Sequence, residues 1–143
     1  MLVQQILKGK AGGVVTIAPD ATVREAVELL AARRIGAVIV STDGQKPSGI
    51  LSERDIVREL GKRGTDCMDD KVEAVMTRAI YGCEPGDTAD QVLATMTTRR
   101  FRHMPVMVGN EMVGLISIGD VVAARLSELQ HERDALTGMI MGH

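Results

Sequence analysis

Gly49-Ile50-Leu51-Ser52-Glu53-Arg54-Asp55 and Gly114-Leu115-Ile116-Ser117-Ile118-Gly119-Asp120 are one pattern written twice: Gly, two aliphatics, Ser, two free positions, Asp. The glycine and aliphatics read as the end of a short buried strand. The Ser-x-x-Asp that follows is a helix-start signature, a hydroxyl at the N-cap and a carboxylate three residues on. Ile56, Val57 and Leu60 continue the first helix; Val121, Val122 and Leu126 continue the second. Taken alone, each motif is a helix cap worth about 1 kcal/mol.

The surroundings repeat as well. Pro19, Thr22, Val23, Val27, Leu30, Arg33, Arg34 and Ile35 recur at one constant offset as Pro85, Thr88, Ala89, Leu93, Met96, Arg99, Arg100 and Phe101. A one-residue deletion in the intervening turn then brings Gly49, Ser52 and Asp55 onto Gly114, Ser117 and Asp120. Two copies, rather than many, point to a paired architecture and not to a solenoid.

Along the chain, residues 2–8 read as a short helix with Val3, Ile6 and Leu7 on one face, and Val72, Val75 and Met76 repeat that face. The connection Lys8–Gly13 sets backbone freedom beside two amines, an arrangement able to close over an anion; the alternative is a plain flexible loop. Val14–Ile17 reads as a strand. Thr22-Val23-Arg24-Glu25 is a capping box, and the apolar residues behind it keep helical spacing. Ile35–Val40 is a continuous apolar run, the mark of a buried strand, and Gly49–Leu51 returns as the next. Gly61–Asp70 is polar and reads as a linker. The second copy follows the same order: a strand over Ile80–Cys83, a helix from Thr88 with Gln91 completing the box, strands at Phe101–Val108 and Met112–Ile116 joined by Gly109-Asn110, and a helix after Ser117. That last helix runs on. Val122, Leu126, Leu129, Leu136 and Ile140 alternate four- and three-residue steps, broken by Arg133, a stripe suited to a partner chain.

Composition bounds the rest. A chain of 143 residues with 45% hydrophobic residues can bury one domain-sized core. Tyr81 and Phe101 are the only aromatics, so the core is aliphatic and no stacking platform for single-stranded nucleic acid can be built. A net charge of −2 supplies no general field for nucleic acid. No run is long enough for a membrane helix and no secretory signal opens the chain, so a cytoplasmic, reducing setting is expected. Cys67 and Cys83 have neither a CxxC nor paired histidines nearby and read as free thiols.

With these residues in hand, the chain resembles a cystathionine-β-synthase (CBS) domain pair, or Bateman module. The resemblance rests on both Gly-x-x-Ser-x-x-Asp motifs, the Pro-x-x-Thr helix starts, the linker Val75-Met76-Thr77 and the run Arg100-Phe101-Arg102-His103-Met104-Pro105-Val106. More closely it is similar to small stand-alone bacterial CBS-pair proteins with a C-terminal helix. It implies an α/β fold: tandem βαββα repeats related by a pseudo-twofold axis, with a C-terminal helical extension. The blocks are 1–68 with the N-terminal helix, 69–127, and a helical tail 128–143. It also implies two clefts between the repeats that take an adenine nucleotide (AMP, ADP, ATP, NAD(H) or S-adenosylmethionine) and a disc-like homodimer. Carried over, one cleft uses Thr16, Gly36, Ala37, Ser52, Arg54 and Asp55; the other uses Tyr81, Arg102, His103, Met104, Pro105, Ser117 and Asp120. In the family the motif Asp holds the ribose hydroxyls and the motif Ser meets phosphate.

The residues suit those roles chemically. A carboxylate accepts two hydrogen bonds from a cis-diol, an N-terminal helix turn welcomes an anion, and Gly36 with Ala37 leaves room for a flat base. Arg102 and His103 add cationic donors where the first copy has only Gly36 and Ala37, which makes the second the better phosphate site. Thr16 aligns with Gly82, so the two copies are not equivalent. The reading is a regulatory sensor, not an enzyme, acting on a separate effector protein yet to be named. It needs no catalytic cofactor and no metal. The competing readings are a ligand-free scaffold and nucleic-acid binding through Arg99, Arg100, Arg102 and His103. For catalysis His103 would be the sole base, since His131 and His143 lie in the tail.

Overall fold

Short apolar runs punctuated by Ser and Thr caps give short strands and capped helices, in the order the repeat predicts. The computed structural model of the chain describes residues 1–10 and 13–141. Ala11 and Gly12 of the lysine- and glycine-rich connection, and Gly142 and His143 of the tail, lie outside the described residues. The chain divides into two compact units: one holds Gly13–Tyr81 with Val108–Val113, the other the N-terminal stretch with Gly82–Met107 and the residues from Gly114 on.

In the first unit, β1 (Thr16–Ile17) pairs parallel with β2 (Ala37–Val40), Thr16 opposite Ile39, and β2 pairs antiparallel with β3 (Gly49–Ser52), Val38 opposite Leu51. All four residues of β2 are buried, as the unbroken apolar run requires of a central strand. Helix α2 (Val23–Arg33) starts on Thr22, whose hydroxyl accepts the Glu25 N–H at 3.1 Å. It ends on Arg34 in the left-handed region, φ 55°. Helix α3 (Glu53–Arg63) springs from β3, and Val23, Ala26, Leu30, Val38, Val40, Leu51, Ile56, Val72 and Met76 form the core. The expected linker after Gly61 is instead structured. Helix α3 continues to Arg63, a 3-10 helix spans Gly64–Asp69, and α4 (Val72–Val75) follows. Its polar sequence hides one anchor, Cys67, which is wholly buried; Arg63 closes the turn through ion pairs with Glu59 and Asp70.

The second unit is built alike around α5 (Ala89–Arg99), most of β4 (His103–Val108) and β5 (Glu111–Ser117), and α6 (Ile118–Ile140); β4 and β5 form a two-stranded sheet. Both halves of the α5 capping box form: Gln91 N–H donates to the Thr88 hydroxyl and Thr88 N–H to the Gln91 amide oxygen. Like α2, α5 ends on an arginine with positive φ, Arg100 at 59°. The strand expected over Ile80–Cys83 is reduced to a single parallel bridge, Cys83 to Val106. Cys83 donates to the Pro105 carbonyl and accepts from Met107, but Pro105 has no N–H with which to lengthen the ladder. Burial, then the charge of Asp87, pushes the Cys83 thiol up to about 11, so it sits in the core as an inert thiol.

Each short helix packs away from the copy it precedes in sequence. Helix α1 (Val3–Lys8) sets Val3 and Ile6 into the core with Val92, Met96, Ile116 and Val121, and Val3 N–H donates to the Asp87 carbonyl. In the first unit α4 takes the same place: Val72 joins the core and its N–H donates to Ala21. The shared face of Val3-Ile6-Leu7 and Val72-Val75-Met76 is therefore one structural part used twice, and the compact units are interleaved along the chain.

Candidate functional site

Both heptapeptides place a strand end, a Ser cap and an Asp side by side. In the first, the Asp55 N–H donates to the Ser52 hydroxyl (3.3 Å), while Ser52 N–H (2.9 Å) and Oγ (3.1 Å) donate to Asp55 Oδ2. In the second, Asp120 N–H donates to Ser117 Oγ (3.1 Å) and Ser117 N–H to Asp120 Oδ2 (2.9 Å). The first helical N–H of each motif donates to the residue just ahead of the neighbouring strand, Glu53 to Gly36 O (2.9 Å) and Ile118 to Arg102 O (2.8 Å). The capping reading is thus realised in both copies, and each carboxylate keeps capacity beyond it, since four lone pairs outnumber the bonds a box uses.

What meets the rest of each carboxylate differs. Asp55 Oδ1 accepts from the Thr77 hydroxyl at 3.1 Å, Arg58 stands 3.8 Å away, and the Asp55 side chain is only 8% exposed. Thr77 is held there by backbone pairing with β3, donating to and accepting from Ile50. Asp120 is 25% exposed, and its Oδ2 takes the Lys10 ammonium at 2.7 Å. Lys10 Nζ also donates to the Leu115 carbonyl at 2.8 Å. Burial raises the Asp120 carboxyl, but the Lys10 ammonium and the Ser117 N–H outweigh burial and hold it below the ordinary aspartate value.

The other residues carried over from the resemblance fall as follows. In the first unit Thr16 lies in β1 opposite Ile39, Gly36 precedes β2, which the buried Ala37 opens, Ser52 ends β3, and Arg54 is exposed on α3. Tyr81 belongs to this unit also and is 40% exposed. In the second unit Arg102 is exposed beside the α6 N-terminus, and His103 opens β4 half-buried. Met104 and Pro105 are buried, Met104 within the core cluster. The structure therefore gathers Ser117, Asp120 and the Arg102 backbone in one unit and Ser52, Asp55 and the Gly36 backbone in the other. Two partners escaped the sequence reading. Thr77 stood in the linker motif with no role; Lys10 was one of two amines expected to meet an anion, and the anion it meets is Asp120.

Among the described residues no three His, Cys, Asp or Glu side chains converge on a metal position, and no helix is long and apolar enough to cross a membrane. The α6 stripe stands in the open: Val122, Leu126, Leu129, Leu136 and Ile140 are all exposed.

A duplicated strand–cap–helix motif, each copy ending in a carboxylate at a helix N-terminus, defines a tandem-repeat α/β module. Comparison with known proteins gives that class its family: the CBS domain model matches residues 12–62 and 72–127, and the chain belongs to the CBS-domain family. It is similar to the mitochondrial CBS domain-containing protein CBSX3 of Arabidopsis thaliana, 33% identical over 94% of this chain and 68% of that protein. Among solved structures it is similar to a CBS-domain containing protein of Agrobacterium tumefaciens, 41% identical with a TM-score of 0.82, covering 87% of this chain and 92% of that one. A third likeness is a CBS domain protein of Pyrobaculum aerophilum solved with AMP, 25% identical with a TM-score of 0.74, covering 84% and 89%.

Proposed function

We propose that this chain is a regulatory module that binds an adenine nucleotide, AMP, ATP or NAD(H), and passes its occupancy to a separate effector protein. One observation carries the reading: Asp120 stands partly exposed at the N-terminus of α6, with Ser117 at the cap and Arg102, whose carbonyl accepts from the Ile118 N–H, beside it. A partly exposed carboxylate accepts a ribose diol, and cationic donors next to a helix N-terminus suit phosphate. The AMP complex of the Pyrobaculum aerophilum relative supports the adenine nucleotide as ligand class. In this reading the module works by binding, not catalysis: the Ser117–Asp120 pair is a capping box, which supplies neither a nucleophile nor a matched acid and base.

The exposed α6 stripe supports a homodimer in which a second copy covers Leu126, Leu129 and Leu136. Its four- and three-residue alternation is self-complementary in the manner of a coiled-coil seam.

The test is calorimetric titration of AMP, ATP, NADH and S-adenosylmethionine into the protein freed of bound nucleotide, repeated with Asp120→Asn. The asparagine keeps a cap oxygen and removes the charge. Saturable heat with a phosphate-bearing nucleotide, lost in the variant, is the expected result. No heat with any of the four ends the sensor reading.

A further inference from the structure

Each motif carboxylate meets one residue from outside its own helix start. The Thr77 hydroxyl donates to Asp55 Oδ1, and the Lys10 ammonium donates to Asp120 Oδ2, the oxygen that also accepts the Ser117 N–H. The two are not counterparts in the repeat: the shared face of Val3-Ile6-Leu7 and Val72-Val75-Met76 aligns Thr77 with Lys8. Thr77 is held by backbone pairing with Ile50, whereas Lys10 reaches the Leu115 carbonyl through its ammonium. A hydroxyl on one carboxylate and an ammonium on the other do not make the same site.

From this geometry we infer that Lys10 is a specificity-determining residue of the Asp120 site, selecting ligands that carry phosphate against the corresponding uncharged nucleosides. The inference rests on the sensor reading above. Lys10 Nζ, 2.7 Å from Asp120 Oδ2, occupies acceptor capacity that a ribose diol needs. A diol that binds Asp120 displaces the ammonium from the carboxylate. For adenosine that displacement goes uncompensated, because neutral hydroxyls replace a charge-assisted bond. For AMP the released ammonium has a phosphate to meet in the same bound complex. The amine therefore costs binding in the first case and returns it in the second. Lys10 is free to make the exchange: its side chain is 37% exposed, its aliphatic stem is long, and the ammonium moves by rotation about single bonds. Ser117 N–H, the other donor to Oδ2, is backbone and stays.

The experiment compares AMP with adenosine on wild type, Lys10→Met and Lys10→Arg by competition for one fluorescent adenine nucleotide. Methionine keeps the stem and removes the charge; arginine keeps the charge. The inference predicts that Lys10→Met tightens adenosine, weakens AMP and lowers the AMP-to-adenosine affinity ratio by about tenfold, one charge-assisted contact's worth. Lys10→Arg recovers most of that ratio. A ratio unchanged in Lys10→Met, with AMP still bound, overturns the inference and leaves the sensor reading standing. Equal tightening of both ligands also overturns it, making Lys10 a plug and not a selector. If wild type binds neither ligand, the sensor reading falls and the inference with it. A merely structural Lys10 would move the melting temperature and leave the ratio alone.

Discussion

Asp55 and Asp120 stand at the same place in the same motif, yet the first is walled in by hydroxyls and the second lies open under an amine. Asp55 takes Ser52 and Thr77 and is 8% exposed; Asp120 takes Ser117 and Lys10 and is 25% exposed. Asp55, held by two hydroxyls with Arg58 3.8 Å away and almost withdrawn from water, serves as a structural tie. A carboxylate that is partly exposed and neutralised by a mobile ammonium keeps an exchangeable partner. Duplication supplied two like helix starts, and the residue delivered to each from elsewhere in the chain, Thr77 to Asp55 and Lys10 to Asp120, set them apart.

Alanine at each carboxylate gives the widest split. Asp55→Ala removes the acceptor of two part-buried hydrogen bonds, from the Thr77 hydroxyl and the Ser52 N–H, at a carboxylate only 8% exposed, and denaturant unfolding should show a loss of about 2 kcal/mol. Asp120→Ala removes a cap and an exposed ion pair and should cost about 1 kcal/mol. Equal losses would erase the distinction between tie and site.

The motif glycines sharpen it next. A Cβ on Gly49 meets Met76 Sδ at 2.5 Å and the Thr77 carbonyl at 2.9 Å, and that backbone is what holds Thr77 on Asp55. The atoms nearest a Cβ on Gly114 are those of the Leu7 side chain, its tip at 2.7 Å. Gly49→Ala should lose about 2 kcal/mol and Gly114→Ala about 1 kcal/mol or less, since a leucine tip repacks and a backbone carbonyl does not.

The paired helix ends test symmetry instead of difference. Arg34 and Arg100 both hold positive φ, where a side chain strains the backbone, so Arg34→Gly and Arg100→Gly should each raise stability by about 1 kcal/mol in thermal melts.

The smallest effect is in pH. The folded Asp120 carboxyl lies below its unfolded value, with Lys10 and Ser117 outweighing burial. Its stabilisation is complete above the unfolded value near 3.9 and is lost as pH falls through the folded one. Wild type should exceed Lys10→Met by at most about 1 kcal/mol at neutral pH, and the gap should close in acid unfolding curves. A gap that widens in acid would reverse the sign.

Much of this was legible in the sequence, and the misses share a cause. The repeat, the Thr22, Thr88, Ser52 and Ser117 helix starts and the long α6 followed from local capping and periodicity, which act within a turn or two of chain. The linker at Gly61–Asp70 misled because a single buried Cys67 outweighs its polar neighbours. The strand at Ile80–Cys83 failed on Pro105, a residue distant in sequence. Lys10–Asp120 joins residues from opposite ends of the chain, and no local pattern reports such a contact. The interleaving of α1 and α4 was foreshadowed by their shared apolar face, but sequence order assigned α1 to the copy beside it.

The measurement that bears most directly on the account is the stoichiometry of AMP binding by calorimetry in wild type, Asp55→Asn and Asp120→Asn. The account predicts one AMP per chain in wild type, retained in Asp55→Asn and lost in Asp120→Asn. Two AMP per chain, or loss in Asp55→Asn with retention in Asp120→Asn, would contradict it.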